Sequence, residues 1–153
     1  MSTVKDILER KGSDVAWVEP GANVIKALEL MAEKNIGAVL VMDDKGFVHG
    51  IFSERDFARK IILKGHSCEN EPVSEIMTKK VVFVQPETSL EQCMNIMTEQ
   101  RIRHLPVLEN NRVVGVISIG DVVKILLSAK DRIIAEQAFE LGQKERLTQA
   151  GAV

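Results

Sequence analysis

The sequence predicts an α/β (α+β) protein built from two tandem repeats, each of the order β-α-β-β-α, packed sheet to sheet with pseudo-two-fold symmetry. Two observations indicate this fold. The motif Gly-x-x-Ser-x-x-Asp occurs twice, as "GIFSERDF" from Gly50 and as "GVISIGDV" from Gly115. The segment from Val18 aligns with the segment from Val84 at an offset of 66 residues, which becomes 65 after a polar turn. A repeat of this size buries too small a core to be stable by itself, so the two copies are expected to pack together.

Each repeat is expected to open with a short strand, at residues 16–18 and 81–84, followed by a helix. Apolar residues in both helices recur at the spacing of one helical face. They are Val24, Ala27, Leu28 and Met31 in the first copy and Leu90, Cys93, Met94 and Met97 in the second. Asn23 and Ser89 occupy the positions where N-caps belong. Trp17, in the first short strand, is expected to pack rather than to stack on a base.

A buried strand, a turn and a second strand complete each predicted sheet. The buried strands are "GAVLVM" and "HLPVL", the turns are "DDKG" and "ENNR", and the second strands are "FVHGIF" and "VVGVIS". A second helix is expected to begin near Asp56 and near Asp121. An amphipathic helix is expected before residue 11 and another from about residue 128 to 147. The predicted division is 1–66 for the first helix and repeat, 67–127 for the second repeat and 128–153 for the tail.

Composition restricts the function classes. The chain has 153 residues, a net charge of −2 and 4% aromatic residues, which does not favour a nucleic-acid partner. No apolar run approaches the roughly 18 residues of a membrane span, and no secretory signal is evident, so a cytoplasmic location is expected. Cys68 and Cys93 match neither a disulfide framework nor a metal site, and Cys93 is expected in the core.

The usual catalytic motifs are missing from the sequence. It contains no P-loop, Gly-x-Ser-x-Gly or His-Glu-x-x-His, and its three histidines, His49, His66 and His104, form no visible ligand cluster. The sequence therefore predicts neither an enzyme nor a resident metal or catalytic cofactor.

The repeated Ser-x-x-Asp motif has two readings. It can be a capping box that satisfies free N–H groups at a helix start. Alternatively, the Asp carboxylate can accept hydrogen bonds from both ribose hydroxyls, while the Ser orients a ribose or phosphate oxygen beside the helix N-terminus. The residues alone favour the cap.

With the β-α-β-β-α duplication, the paired motif and "RHLPV" in the second copy, residues 4–127 resemble a cystathionine-β-synthase (CBS) domain pair, also called a Bateman module. The resemblance implies a stand-alone regulatory and signal-transduction module. Such pairs bind adenosine-containing ligands, among them AMP, ATP and NAD, in clefts between the repeats, and commonly form homodimers. It also implies an unknown regulated protein and shifts the reading of Ser-x-x-Asp towards ribose recognition.

The resemblance implies two chemically unequal clefts that each mix both repeats. The residues expected in the first are Ser118, Asp121, Arg103, His104, Ser13, Val15 and Gly37. Those expected in the second are Ser53, Arg55, Asp56, Lys80, Val81 and Ile102. Arg103 and His104 would meet phosphate, whereas Gly37 and the alanine after it, at the matching positions of the first copy, could line an adenine pocket.

The residues leave alternatives for these roles. Arg103 can be a solvated charge and His104 a packed histidine, and Lys80 can be a solvated linker residue. At the level of the whole protein, the alternative to nucleotide binding is a ligand-free dimerisation or interaction scaffold, because a fold does not fix a function.

Overall fold

The structure, a computed structural model, describes residues 2–151 and contains the two predicted repeats. A helix, α1, precedes them, and a single 3₁₀ turn lies in the segment that joins them. The elements of the first half are α1 (Val4–Lys11), β1 (Trp17–Val18), α2 (Val24–Lys34), β2 (Ala38–Met42), β3 (Val48–Ser53) and the short α3 (Glu54–Asp56), which continues as a π-helix over Phe57–Ile62. Those of the second half are the 3₁₀ turn Val73–Glu75, α4 (Leu90–Gln100), β4 (His104–Glu109), β5 (Arg112–Ser118) and α5 (Ile119–Gly151).

Each repeat contains an antiparallel hairpin with a parallel partner at one edge. In the first repeat, β1 pairs in parallel with β2, and β2 pairs antiparallel with β3. In the second, β4 pairs antiparallel with β5, and a single residue, Val84, bridges in parallel to Val107 where β1 would lie. The strand predicted over residues 81–84 is therefore wrong in extent, because only Val84 pairs with the hairpin. The register of both hairpins shifts at the same place in the repeat, between Val41 and Met42 and between Val107 and Leu108.

Backbone details repeat as closely as the strands do. Asn23 and Ser89 cap α2 and α4 through side-chain oxygens, as the sequence predicts. The Glu54 N–H donates to the Gly37 carbonyl at 3.0 Å, and at the corresponding place the Ile119 N–H donates to the Arg103 carbonyl at 2.8 Å. The α/β fold of two tandem domains predicted from the repeat is thus confirmed.

The two repeats have separate hydrophobic cores, and each core takes in a segment from outside its own repeat. Val4 and Ile7 of α1 are buried in the core of the second repeat. Val73 and Ile76, from the joining segment, are buried in the core of the first. Cys93 fills the second core as predicted, and burial raises the pKa of its thiol to about 11.

Two expectations about the periphery are wrong. The helix expected from residue 128 is not a separate element, because α5 runs without interruption from the second motif to Gly151. Nothing in "ILLSAKDRII" breaks a helix, since it contains neither Gly nor Pro. Trp17 does not pack inside but remains 40% exposed, because β1 is only two residues long and Trp17 lies on its solvent face. No helix in residues 2–151 has the length and apolar character that crossing a membrane requires.

Candidate functional site

Both Ser-x-x-Asp motifs are capping boxes in this structure. At the start of α3, the Ser53 N–H donates to Asp56 Oδ2 at 3.0 Å, and the Asp56 N–H donates to Ser53 Oγ at 3.3 Å. At the start of α5, the Ser118 N–H donates to Asp121 Oδ2 at 2.8 Å, and the Asp121 N–H donates to Ser118 Oγ at 3.2 Å. The motif therefore has a structural role in each copy, whatever else it does.

Nearly all the hydrogen-bond acceptor positions of the Asp56 carboxylate are occupied. Besides Ser53, it accepts a hydrogen bond from the Thr78 hydroxyl on Oδ1 at 2.9 Å and pairs with Lys60 through the same oxygen at 3.1 Å. Asp56 is only 7% exposed. A ribose hydroxyl could bind this carboxylate only by replacing one of these partners, Thr78 and Lys60 being the two outside the capping box.

The Asp121 carboxylate has a different and more open environment. Lys11, the last residue of α1, pairs with Oδ2 at 2.8 Å and also donates to the Val116 carbonyl at 3.0 Å. Burial opposes ionisation of Asp121, but the hydrogen bonds from Lys11 and Ser118 outweigh it and lower its pKa. The side chain of Asp121 is 26% exposed.

In the second repeat, Lys11 makes the two contacts that Thr78 makes in the first, one to the motif aspartate and one to a backbone carbonyl of the strand before it. The backbone of Thr78 bridges Ile51, the counterpart of Val116, and its hydroxyl bonds Asp56. In the second repeat one ammonium group supplies both donors. The two motif carboxylates are therefore chemically unequal: Asp121 pairs with Lys11, whereas Asp56 bonds Thr78 and pairs with Lys60. None of these three partners was predicted from the sequence, and the inequality of the two clefts as ligand sites stays a prediction.

A cavity of about 600 Å³ lies between the two repeats, on the Asp56 side. This volume is within the range of small-molecule sites. Its walls come from the start of α3 and the π-helix, from the joining segment and from the entry of β4. The lining residues are Gly37, Ile51, Ser53, Glu54, Arg55, Asp56, Arg59, Lys60, Thr78, Lys80, Val81, Val82, Gln100, Arg101, Ile102, Arg103, His104 and Pro106.

Cationic side chains dominate the walls of this cavity. Five of them, Arg55, Arg59, Lys80, Arg101 and Arg103, are exposed. The Arg55 guanidinium donates to the Arg101 carbonyl, and this contact joins the two repeats across the cavity. Such a surface favours an anionic ligand, because arginine forks match the oxygens of phosphate and carboxylate groups.

His104 and Gly37 face each other where the two repeats meet. A Cβ placed on Gly37 would lie 3.4 Å from His104 Nε2, so the glycine leaves just enough room for the ring. Burial lowers the pKa of His104, with a further contribution from the charge of Lys11. The imidazole is therefore mostly neutral at pH 7 and offers one donor and one acceptor.

The structure brings nine of the thirteen predicted site residues to one cavity. They are Gly37, Ser53, Arg55, Asp56, Lys80, Val81, Ile102, Arg103 and His104. Three of these, Gly37, Arg103 and His104, were expected in the cleft of Asp121, and the structure places them on the wall of the Asp56 cavity. His104 also lies close enough to Asp121 for the carboxylate charge to act on its ring, so the expected grouping stays a prediction. Gly37, the residue before β2, lies against the His104 ring at the start of β4, and both line the Asp56 cavity.

The other four predicted residues, Ser13, Val15, Ser118 and Asp121, do not line this cavity. Ser118 and Asp121 cap α5, while Ser13 and Val15 lie in the stretch between α1 and β1. Their assignment to a ligand site stays a prediction.

Several lining residues were missed by the sequence analysis, above all Arg59, Lys60, Thr78 and Arg101. Arg59 and Lys60 follow Asp56 by three and four residues, a spacing that places side chains on the same helical face as the motif. Arg101 ends α4 in the left-handed conformation, with φ of 54°, as Asn35 does in the first repeat. No group of three or more potential metal ligands occurs among the side chains that the structure describes, those of residues 2–130 and 132–148.

Comparison with known proteins identifies the repeats. The sequence model of the CBS domain matches residues 4–63 and 73–128. The mitochondrial CBS domain-containing protein CBSX3 of Arabidopsis thaliana is 36% identical over 82% of the chain, which spans 65% of that relative's length. The CBS domain-containing protein YhcV of Bacillus subtilis is 35% identical over 79% of the chain and 83% of its own length. Five longer Arabidopsis relatives are matched over 22–23% of their lengths.

Solved structures agree with these relatives. A protein from Burkholderia ambifaria, described as a candidate signal-transduction protein with CBS domains, superposes with a TM-score of 0.80 at 46% identity, over 83% of this chain and 95% of that one. A CBS domain pair solved with 5′-methylthioadenosine and S-adenosyl-L-methionine superposes with a TM-score of 0.74 at 22% identity, over 84% and 98% of the two chains. At that identity the likeness shows the fold alone.

Proposed function

Because the chain belongs to the CBS domain family, a regulatory and non-catalytic one, and consists mostly of a pair of these domains, we propose that it is a regulatory module that binds adenosine-containing ligands between its two repeats. AMP, ATP and NAD are the candidate ligands, and the Asp56 cavity is the favoured site. The single observation that carries the proposal is the cluster of five exposed cations around that cavity, since phosphate is the group such a cluster recognises best. The adenosyl ligands held by a distant pair of the same fold support the choice of ligand class.

In this proposal the phosphates face the cationic wall, and the ribose lies towards the start of α3. Ser53 and Asp56 would then bind the ribose hydroxyls, with Asp56 exchanging the Thr78 hydroxyl for one of them. Gly37 and the apolar side chains of Ile51, Val81 and Ile102 offer a surface for the adenine ring. A ligand that contacts both repeats binds some arrangements of the pair better than others and shifts the population towards them, and this shift is the signal.

The test is titration calorimetry on protein stripped of bound nucleotide, with AMP, ATP and NAD as ligands. We expect at least one to bind with a stoichiometry of one per chain, and the variant Arg103→Gln to bind it more weakly. Arg112→Gln is the matched control, because Arg112 lies at the tip of the second hairpin, outside the cavity. The absence of heat with all three ligands would remove the proposal.

The second candidate function is a dimerisation scaffold, and one observation favours it. Large apolar side chains on α5, among them Leu127, Ile134 and Leu141, are more than half exposed. A homodimer that covers them is compatible with either function, and both the dimer and the cytoplasmic location predicted from the sequence stay predictions. Thermal melting separates the two candidates, because a ligand of the native state must raise the melting temperature with concentration and a scaffold without a ligand shows no such shift.

A further inference from the structure

The cations around the Asp56 cavity are mostly unpaired. Of the ion pairs among the side chains described, those of residues 2–130 and 132–148, one involves a lining residue, and it joins Lys60 to Asp56. The remaining charged lining residues are the five exposed cations and one exposed carboxylate, that of Glu54. Five cations against one carboxylate leave a formal excess of four positive charges at a cavity of about 600 Å³. The neutral His104 ring adds nothing to this excess.

The unpaired cations come from both repeats. Arg55 and Arg59 are one helical turn apart at the start of the helix that follows β3, so they share a face. Arg101 and Arg103 flank the entry of β4, and Lys80 lies in the joining segment. The contact from the Arg55 guanidinium to the Arg101 carbonyl brings the two groups together. Without an anion between them, like charges from the two repeats repel each other.

A charge excess of this size matches a chain of phosphates better than a single one. A terminal phosphate carries about −1.5 to −2 at pH 7, and each bridging phosphate adds one negative charge. A nucleoside triphosphate therefore carries about −4, whereas a monophosphate neutralises only about half of the excess. A sulfonium ligand such as S-adenosylmethionine is itself positively charged at sulfur, and the cations of the cavity wall repel that charge.

We infer that the Asp56 cavity selects ligands with a chain of phosphates, of the nucleoside triphosphate class, over nucleoside monophosphates and over sulfonium-bearing adenosyl ligands. The claim that the ligand contains a nucleoside rests on the proposed function. The claim that the cavity prefers a chain of phosphates rests on the charges of its walls alone. The phosphate chain bridges Arg55 and Arg59 of one repeat to Arg101 and Arg103 of the other, and so ties the repeats together.

The first measurement compares ligands that differ only in the number of phosphates, with S-adenosylmethionine as the sulfonium ligand. Orthophosphate, pyrophosphate and inorganic tripolyphosphate, and separately adenosine, AMP, ADP, ATP and S-adenosylmethionine, are titrated into the stripped protein at constant ionic strength, with EDTA to keep the ligands free of metal. Each exposed charge contact is worth about two- to fivefold in affinity. We expect binding to tighten at each added phosphate, about tenfold in total from AMP to ATP, and to weaken as salt is raised.

The second measurement uses two variants that change the net charge of the cavity wall in opposite directions. Glu54→Gln removes the one unpaired carboxylate at nearly constant shape, and we expect it to tighten ATP binding about two- to fivefold. Arg59→Gln should weaken ATP binding by a similar factor and leave adenosine binding unchanged. Arg112→Gln, which removes an exposed charge outside the cavity, is the control for net charge. The gain expected of Glu54→Gln cannot arise from misfolding, so the inference does not depend on a loss alone.

The outcomes separate the inference from the proposed function. If AMP binds as tightly as ATP with the same salt dependence, or if S-adenosylmethionine binds more tightly than ATP, the inference is overturned and the proposed function stands. If tripolyphosphate binds and no nucleoside-containing ligand binds more tightly, the proposed function fails while phosphate-chain selection is supported. If none of these ligands binds, both are overturned.

Discussion

The two motif aspartates should differ sharply in their contribution to stability, and the substitution Asp→Asn tests this at each position. The Asp56 carboxylate, 7% exposed, accepts three hydrogen bonds, two from Ser53 and one from Thr78, and makes an ion pair with Lys60. Asparagine keeps one acceptor oxygen, so two of these partners would face an amide that donates. The Thr78 hydroxyl can turn and accept from the amide, but the Lys60 ammonium cannot. A hydrogen bond to a charged group is worth about 1.5–3 kcal/mol, so Asp56→Asn is expected to cost about 2–3 kcal/mol.

The corresponding change in the second repeat should cost much less. Asparagine at position 121 can still accept from the Ser118 N–H and cap α5, and it loses mainly the charge attraction to Lys11. Because the Lys11 side chain is 39% exposed, solvent screens this ion pair, and we expect a cost of about 1 kcal/mol or less. In melting temperature the two variants should fall by about 7 °C and about 3 °C, respectively.

The assay is urea unfolding followed by far-UV circular dichroism, with both variants and the parent protein under the same conditions. Equal m-values are the control, since a changed m-value would indicate a change in the surface exposed on unfolding rather than in stability alone. Equal losses in the two variants, or a larger loss for Asp121→Asn, would refute the conclusion that Asp56 is the more heavily bonded carboxylate.

Two further predictions concern the close packing at Gly50 and Gly115 and the titration of His104. A Cβ on Gly50 would lie 2.7 Å from the Thr78 backbone oxygen, whereas one on Gly115 would meet only the end of the flexible Leu8 side chain, at 2.5 Å. Gly50→Ala should therefore cost about 1–3 kcal/mol and Gly115→Ala distinctly less, as measured by urea unfolding, and the reverse order would contradict the packing described. The pKa of His104 lies below its ordinary value of about 6.5 in the folded chain, so unfolding takes up a proton between these two values. The free energy of unfolding should fall as the pH drops below about 7, with a shallower slope for His104→Gln, and identical slopes would exclude this titration as a contributor.

The fold could be predicted because its signals are local and occur twice. Val24 and Leu90 begin apolar faces at helical spacing, and Asn23 and Ser89 cap the same helices. In each hairpin a polar turn joins the two strands, so the register of the two strands follows from the alternation of apolar residues along them. A pattern that recurs in register through a second copy is evidence for each element of the first.

The candidate site could be predicted only in part, because it is assembled from segments far apart in the sequence. Asp56 and Arg103 could be found from a motif and from the resemblance, but the cationic cavity also needs Arg59 and Arg101, which no motif marks. The Lys11–Asp121 pair joins residues 110 positions apart, and nothing in the sequence near either residue points to the other. Charges on separate elements can be grouped only after the packing of those elements is known.

The most direct test of the central claim is a crystal structure of the chain grown with ATP at a concentration that saturates the protein in solution. We predict one nucleotide in the Asp56 cavity, with phosphate oxygens within hydrogen-bond distance of guanidinium groups from both repeats, Arg59 from the first and Arg103 from the second. Nucleotide bound elsewhere on the chain, or a cavity that holds only water under those conditions, would contradict the claim.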